Sequence, residues 1–164
     1  MTSLLAPFQK LATPSTMRQL WGYLKSVPGG GRIFGALIGR MAPYTSTIHP
    51  EIVALDTGFA KVLMRDSRRV RNHLNSVHAI ALMNLGEVTT GTAMMYSLPD
   101  GCRGIIVNLG MEYVKKARGN ITAECTCPVP QTRERAEYEV HGELRNEAGE
   151  LVARAHAKWL IGPA

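Results

Sequence analysis

Between Arg71 and Arg103 the chain carries no lysine or arginine, and before Asp100 the only acid in that interval is Glu87. From about His78 to Leu98 the residues are apolar, small or hydroxylated nearly all round a helical projection, which predicts a buried helix rather than one with a wet stripe. A buried helix needs a surrounding layer, and the flanking segments supply strands. Ile52 to Leu55 and Phe59 to Met64, joined through Asp56-Thr57-Gly58, predict a hairpin. After Arg103, Ile105, Val107, Leu109, Met111 and Tyr113 alternate with a second set and are predicted to share one face. Ile121 to Cys127, Ala136 to Leu144 and, past the turn at Asn146 to Gly149, Val152 to Leu160 alternate in the same way. Each strand has one wet face, so the sheet is antiparallel and its other face is covered by something apolar. The expected fold is α+β, one long helix wrapped by a six-stranded antiparallel sheet.

The first fifty residues differ in kind. They contain no Asp or Glu, and Lys10, Arg18, Lys25, Arg32 and Arg40 supply most of the formal charge of +6. Met17, Leu20, Trp21 and Leu24 repeat at helical spacing behind Ser15, an expected N-cap, and Pro28 with Gly29, Gly30 and Gly31 ends that helix. Ile33, Phe34, Leu37, Ile38 and Met41 predict a second helix that stops at Pro43. The expected organisation is an N-terminal helical arm, 1–48, followed by the main domain, 49–164. The cations are single and spaced, without interleaved aromatics, which argues against a nucleic-acid groove. Such an arm could lie on an anionic membrane surface, but Trp21 and its neighbours suit packing, and a cover on the main body is expected.

Composition sets further bounds. A chain of 164 residues with 45% hydrophobic and 20% charged residues is ordinary for one globular domain. No apolar run approaches the roughly 18–20 residues of a transmembrane helix. Cys102, Cys125 and Cys127 cannot form a closed disulfide set and, with no signal-peptide pattern, are expected as reduced thiols in a cytoplasmic protein.

Glu87 is the residue on which chemistry would rest. No cation lies within a helical turn or two of it, and a carboxylate buried without a partner raises its pKa or opens onto a cavity. The alternative is a structural one, in which the fold brings an arginine to it.

The stretch Asn72-His73-Leu74-Asn75-Ser76-Val77-His78-Ala79, followed by Glu87, resembles the signature of the PaaI-like hot-dog-fold thioesterases. In that family an Asn precedes His-Gly-Gly by six residues, and an acid follows the His by nine on the central helix. Asn72, His78 and Glu87 keep the spacing. Ala79 and Ile80 replace the two glycines, Glu replaces the commoner Asp, and Asn75 stands where a glycine is frequent. The resemblance covers about His49 to Ile161 and implies a hot-dog fold, a homodimer or tetramer, and hydrolysis of a small or medium acyl-coenzyme A or related thioester without a cofactor or metal. It gives Glu87 the part of general base or nucleophile, the Ala79 N–H that of oxyanion donor, and Asn72 that of orienting the thioester or water.

Ala79 and Glu87, eight residues apart on one helix, stand roughly 12 Å apart at about 1.5 Å per residue. They cannot both reach one reacting carbon, so the mechanism needs a second copy of the chain. Arg68, Arg69 and Arg71 before the helix, and Lys115, Lys116 and Arg118 after a strand, are the expected phosphate-binding cations. Met83, with Leu82, Met94 and Met95, is expected to line the acyl site. Two other outcomes stay open: a non-catalytic acyl-ligand binding protein, and a hot-dog dehydratase using the His73 to Glu87 spacing without that group's Phe-Pro and Pro-Gly signature. Metal binding by His73, His78 and Glu87 is not expected, since the two histidines lack helical i, i+4 spacing.

Overall fold

The hairpin forms where expected. β1 (Glu51–Asp56) and β2 (Phe59–Met64) pair around Thr57-Gly58, with Gly58 at φ +77°, a left-handed backbone that favours glycine. The computed structural model describes residues 13–164; Lys10 and the remainder of the first twelve residues of the predicted arm lie outside the described residues. The arm's described helices are α1 (Pro14–Leu24) and α2 (Gly30–Met41), and the central helix is α3 (Ala79–Ser97). β3 (Cys102–Tyr113), β4 (Ile121–Thr126), β5 (Ala136–Asn146) and β6 (Leu151–Pro163) complete a sheet of order β1-β2-β4-β5-β6-β3, antiparallel at every pairing. This is the hot-dog arrangement, a long helix held against a six-stranded sheet.

Helix α3 is buried as its composition requires, with Leu85, Ala93 and Met94 fully enclosed. Its hydroxyl residues are tolerated there because they bond within the helix. Thr89 donates to the Leu85 carbonyl at 2.7 Å, Thr90 to Gly86 at 3.0 Å and Ser97 to Ala93 at 2.6 Å. The thiols of Cys102, Cys125 and Cys127 are free and buried, and burial pushes Cys125 up to about 12, which removes it from thiolate chemistry.

The predicted single face on β3 is not kept. The register against β6 slips between Ile106 and Asn108, so Val107 is an extra residue and the inward set changes parity there. Ile105 and Val107 are 63% and 47% exposed, whereas Ile106, Leu109 and Met111 pack on the core. β3 is also an edge strand.

The arm is a cover on the body. Trp21 stacks edge-on against Phe34, with centroids 5.4 Å apart, and its indole N–H donates to the Leu55 carbonyl at 2.9 Å. Arg18 donates to the Tyr96 and Leu98 carbonyls at the C-terminal end of α3, each at 3.0 Å, satisfying acceptors that the helix leaves open. Two expectations are corrected. The N-cap of α1 is Thr13, not Ser15, because Thr13 is extended, accepts from the Thr16 N–H, and precedes a proline suited to the first turn. Gly30 and Gly31 do not end α1; they open α2.

Glycine is required in α2 by close backbone approach, since a Cβ on Gly31 or Gly35 would collide with the carbonyl oxygen of Ile52 or Pro50. Gly35→Ala is therefore expected to destabilise the protein by about 1–3 kcal/mol, as overpacking does. Thermal melting would register this as a drop of roughly 2–4 °C per kcal/mol, and an unchanged melting temperature would contradict the packing described.

Candidate active site

Glu87 lies midway along α3, half-buried, and among the described residues no hydrogen-bond donor or cation meets its carboxylate. Burial alone raises its pKa from the ordinary value. Beside it is a cavity of about 260 Å³, largely apolar, lined by Val88, Met95 and Trp159 from the body and by Met17, Ile38 and Met41 from the arm. Arg103, exposed on β3, also lines it but forms no ion pair with Glu87. The hollow exists partly because Gly91 has no side chain: a Cβ there would lie 3.0 Å from the Trp159 ring and 4.0 Å from Glu87 Oε1.

The N-terminal end of α3 is a different place. His78 is its N-cap, and its Nδ1 accepts from the Ile80 N–H at 3.1 Å. The neighbouring Ala79 N–H has no acceptor among the described residues, and Ala79 is exposed. A groove of about 300 Å³ runs past this end, lined by Tyr44, Thr47, Arg69, His78 and Ile80. The chain at 42–48 separates the two hollows. Ala42 and Thr45 line the Glu87 cavity, while Tyr44 and Thr47 line the groove and hold Asn84 through the Tyr44 carbonyl at 3.1 Å and the Thr47 hydroxyl at 3.3 Å. Within one subunit the acid and the open helix N–H thus belong to separate cavities.

Asn72 is occupied locally. Its Oδ1 accepts from the Leu74 N–H at 2.9 Å, the Ser76 N–H at 3.2 Å and the Ser76 hydroxyl at 3.1 Å, fixing the turn in which Asn75 takes φ +52°. Only its Nδ2 is left to meet a ligand.

The two basic clusters do converge near the helix start, for Val77 N donates to the Ala117 carbonyl and bridges to Arg71. Arg71 is committed to Asp66, its Nη2 2.6 Å from Oδ2, and Lys115 to Glu150, leaving Arg68, Lys116 and Arg118 exposed and, among the described residues, without a carboxylate partner. Arg69 Nη1 lies 3.3 Å from His49 Nε2. Met83 is half-buried one turn before Glu87 and does not line its cavity; Met95 does, and Leu82 and Met94 are core. Reasoning from sequence missed Trp159, Arg103 and the arm residues of the cavity. The only signal for Trp159 was its place on the inward parity of β6 with Ala155, Ala157 and Ile161. A larger hollow of about 560 Å³ lies between α2 and the start of β1, where Arg32 and Arg65 share Glu51; it includes His49 but shares no lining residue with the Glu87 cavity.

Residues 30–161 match the family described as "Domain of unknown function (DUF4442)". The chain belongs to this family. Everything from α2 to β6 that builds the two hollows falls inside the DUF4442 match, whereas α1 precedes it. No curated protein matches the sequence. The "genomics APC5556" crystal structure is similar at 32% identity and TM-score 0.77, over 90% of this chain and 99% of the other. A Pseudomonas aeruginosa protein named "Probable Thioesterase" aligns at 22% identity and TM-score 0.71, over 79% and 93% of the two chains. A Ralstonia eutropha protein whose name joins thioesterase with phenylacetic acid degradation aligns at 23% identity and TM-score 0.62, over 72% and 89%. These last two carry the fold. Among the described residues no helix is long and apolar enough to cross a membrane.

Proposed function

We propose that this protein hydrolyses a small or medium acyl thioester, with coenzyme A as the thiol carrier, in sites shared by two copies of the chain. The observation that carries the reading is the unpartnered Glu87 carboxylate, held half-buried beside an apolar hollow with its pKa raised by burial. In the cavity the acyl group meets Met95 and the arm. Glu87 takes a proton from water as that water adds to the thioester carbonyl carbon, or attacks the carbon itself to give an anhydride that water opens. The carbon–sulfur bond breaks, the thiolate takes up the proton, and acid and thiol leave.

The carbonyl oxygen gains charge on the way and needs a donor. The open Ala79 N–H at the positive end of α3 has the right chemistry, and its separation from Glu87 within a subunit favours supply from the second copy. The edge of β3 suits that assembly, since it presents unpaired backbone groups together with exposed Ile105, Val107 and Tyr113. Arg68, Arg69, Lys116 and Arg118 around the helix start would then meet the phosphates of coenzyme A, and Asn72 Nδ2 the thioester or water. One observation favours the alternative of acyl binding without turnover: the Asn72 oxygen and His78 Nδ1 are spent on local backbone bonds. A thiol-release assay over acyl-coenzyme A chain lengths separates the two. Turnover of at least one chain length is expected; saturable binding without release from any would contradict hydrolysis.

A further inference from the structure

The hollow between α2 and β1 carries a charge imbalance that hydrolysis at Glu87 leaves unused. Arg32 and Arg40 of α2 line it together with Arg65, which follows β2, and among the described residues Glu51 is the one acid in its wall. A single atom of that acid, Oε2, accepts from Arg32 Nε at 3.1 Å and from Arg65 Nε and Nη2 at 3.1 and 2.9 Å, so it holds two guanidinium groups in place while neutralising one charge. Arg40 meets no carboxylate among the described residues. His49 aside, three guanidinium groups and one carboxylate leave an excess of +2. On β6 the reverse holds, for Arg154 and Lys158 each reach two carboxylates.

A concave wall of one sign concentrates its counter-ion, and guanidinium is the side chain best matched to phosphate oxygens. The excess suits a phosphate monoester, which carries about −1.5 to −2 near neutral pH, better than a single carboxylate. Ser67, half-buried in the same wall, adds a hydroxyl without a partner among the described residues. A volume of about 560 Å³ is that of a whole small-molecule site, and Arg32 and Arg40 stand eight residues apart on α2, roughly 12 Å along its axis, so a ligand longer than a bare ion is needed to meet both. We propose that this hollow binds an organic phosphate through Arg32, Arg40 and Arg65, in a site separate from the Glu87 cavity. Two sources share that chemistry. Ile48 lines both this hollow and the groove past Ala79, and Arg69 of the groove touches His49 of the hollow, which brings the site within the path of the terminal phosphate of coenzyme A, beyond the part met at the helix start. The other source is a phosphorylated small molecule independent of the thioester. Only the first rests on the hydrolytic reading.

The test is calorimetry on the full chain with adenosine 3′,5′-bisphosphate, the phosphorylated nucleoside end of coenzyme A, with ribose 5-phosphate, and with acetate as a plain carboxylate. At least one of the two phosphates is expected to bind saturably and acetate is not. Arg40→Gln and Arg65→Gln should each weaken that binding at least about tenfold, the measure of one charge-assisted hydrogen bond. Lys25→Gln, at an exposed cation of the arm outside the hollow, should change it by less than about twofold. If Arg65→Gln fails to fold through loss of its bonds to Glu51, Arg40→Gln still decides, because Arg40 has no such pair to lose. No binding of either phosphate at millimolar concentration, equal binding of acetate, an Arg40→Gln protein that binds normally, or an equal loss in Lys25→Gln would overturn the proposal. Displacement of the bound phosphate by coenzyme A assigns the site to the carrier, and failure to displace it assigns a separate ligand; both keep the site. Phosphate binding in a protein that releases no thiol would sink hydrolysis and leave the site standing.

Discussion

Glu87→Gln is expected to lower thiol release by about 10²- to 10⁴-fold, the range in which a positioned general base contributes, while leaving the protein folded and better able to withstand heat. The two effects have one cause. Burial holds the Glu87 pKa above its ordinary value of 4.5 with no cation to offset it, so the folded state binds the proton more tightly than the unfolded chain does. Such a group imposes nothing at a pH below its unfolded value, and its ionisation weakens the fold progressively as pH rises through the folded value. Glutamine removes that penalty. The melting temperature of Glu87→Gln should exceed that of the wild type at neutral pH, by roughly 2–4 °C for each kcal/mol recovered, and the gain should vanish at about pH 4 and below. The wild-type rate should climb with pH through the same raised pKa. A variant that keeps its activity removes Glu87 from the chemistry, and one that loses both activity and stability makes the carboxylate a structural group.

Ala79→Pro is expected to have the second-largest effect. The substitution deletes one N–H and little else. Position 79 is the first residue of α3, where proline is well accommodated, and His78 already holds the extended backbone, φ −65° and ψ 139°, that a following proline demands. Loss of an oxyanion donor lowers kcat by about 10²- to 10³-fold. Circular dichroism and melting should be close to wild type, and KM should change little, because the donor is used fully only as the carbonyl oxygen becomes negative. A normal kcat would exclude this amide, and a collapsed fold would show that the helix start cannot take the ring.

What was legible in the sequence divides along a physical line. The central helix, the hairpin and the order of later strands follow from local periodicity and composition, and so does the anomaly of Glu87, because an acid alone among apolar neighbours is visible without coordinates. The bulge at Val107 was not legible. It is fixed by where β6 pairs on either side of it, at Trp159 and Lys158, and a shift in parity leaves no mark on a run in which both parities are apolar. The glycines of α2 resemble a helix stop until the Ile52 and Pro50 carbonyls are seen lying against them. Asn75 could be foreseen in its left-handed conformation from the tolerance of asparagine for it. That Asn72 and His78 spend polar atoms on their own turn could not.

The most direct test of a site shared between subunits is to mix the two inactive proteins. Glu87→Gln and Ala79→Pro, unfolded together and refolded at equal concentrations, would form hybrid dimers in which one site carries both defects and the other carries neither. With random pairing half the dimers are hybrids with one intact site, so about a quarter of the wild-type rate should return. A mixture no more active than its separate components, with hybrids demonstrated by mass, would mean that the acid and the amide serve the same subunit or do not act together.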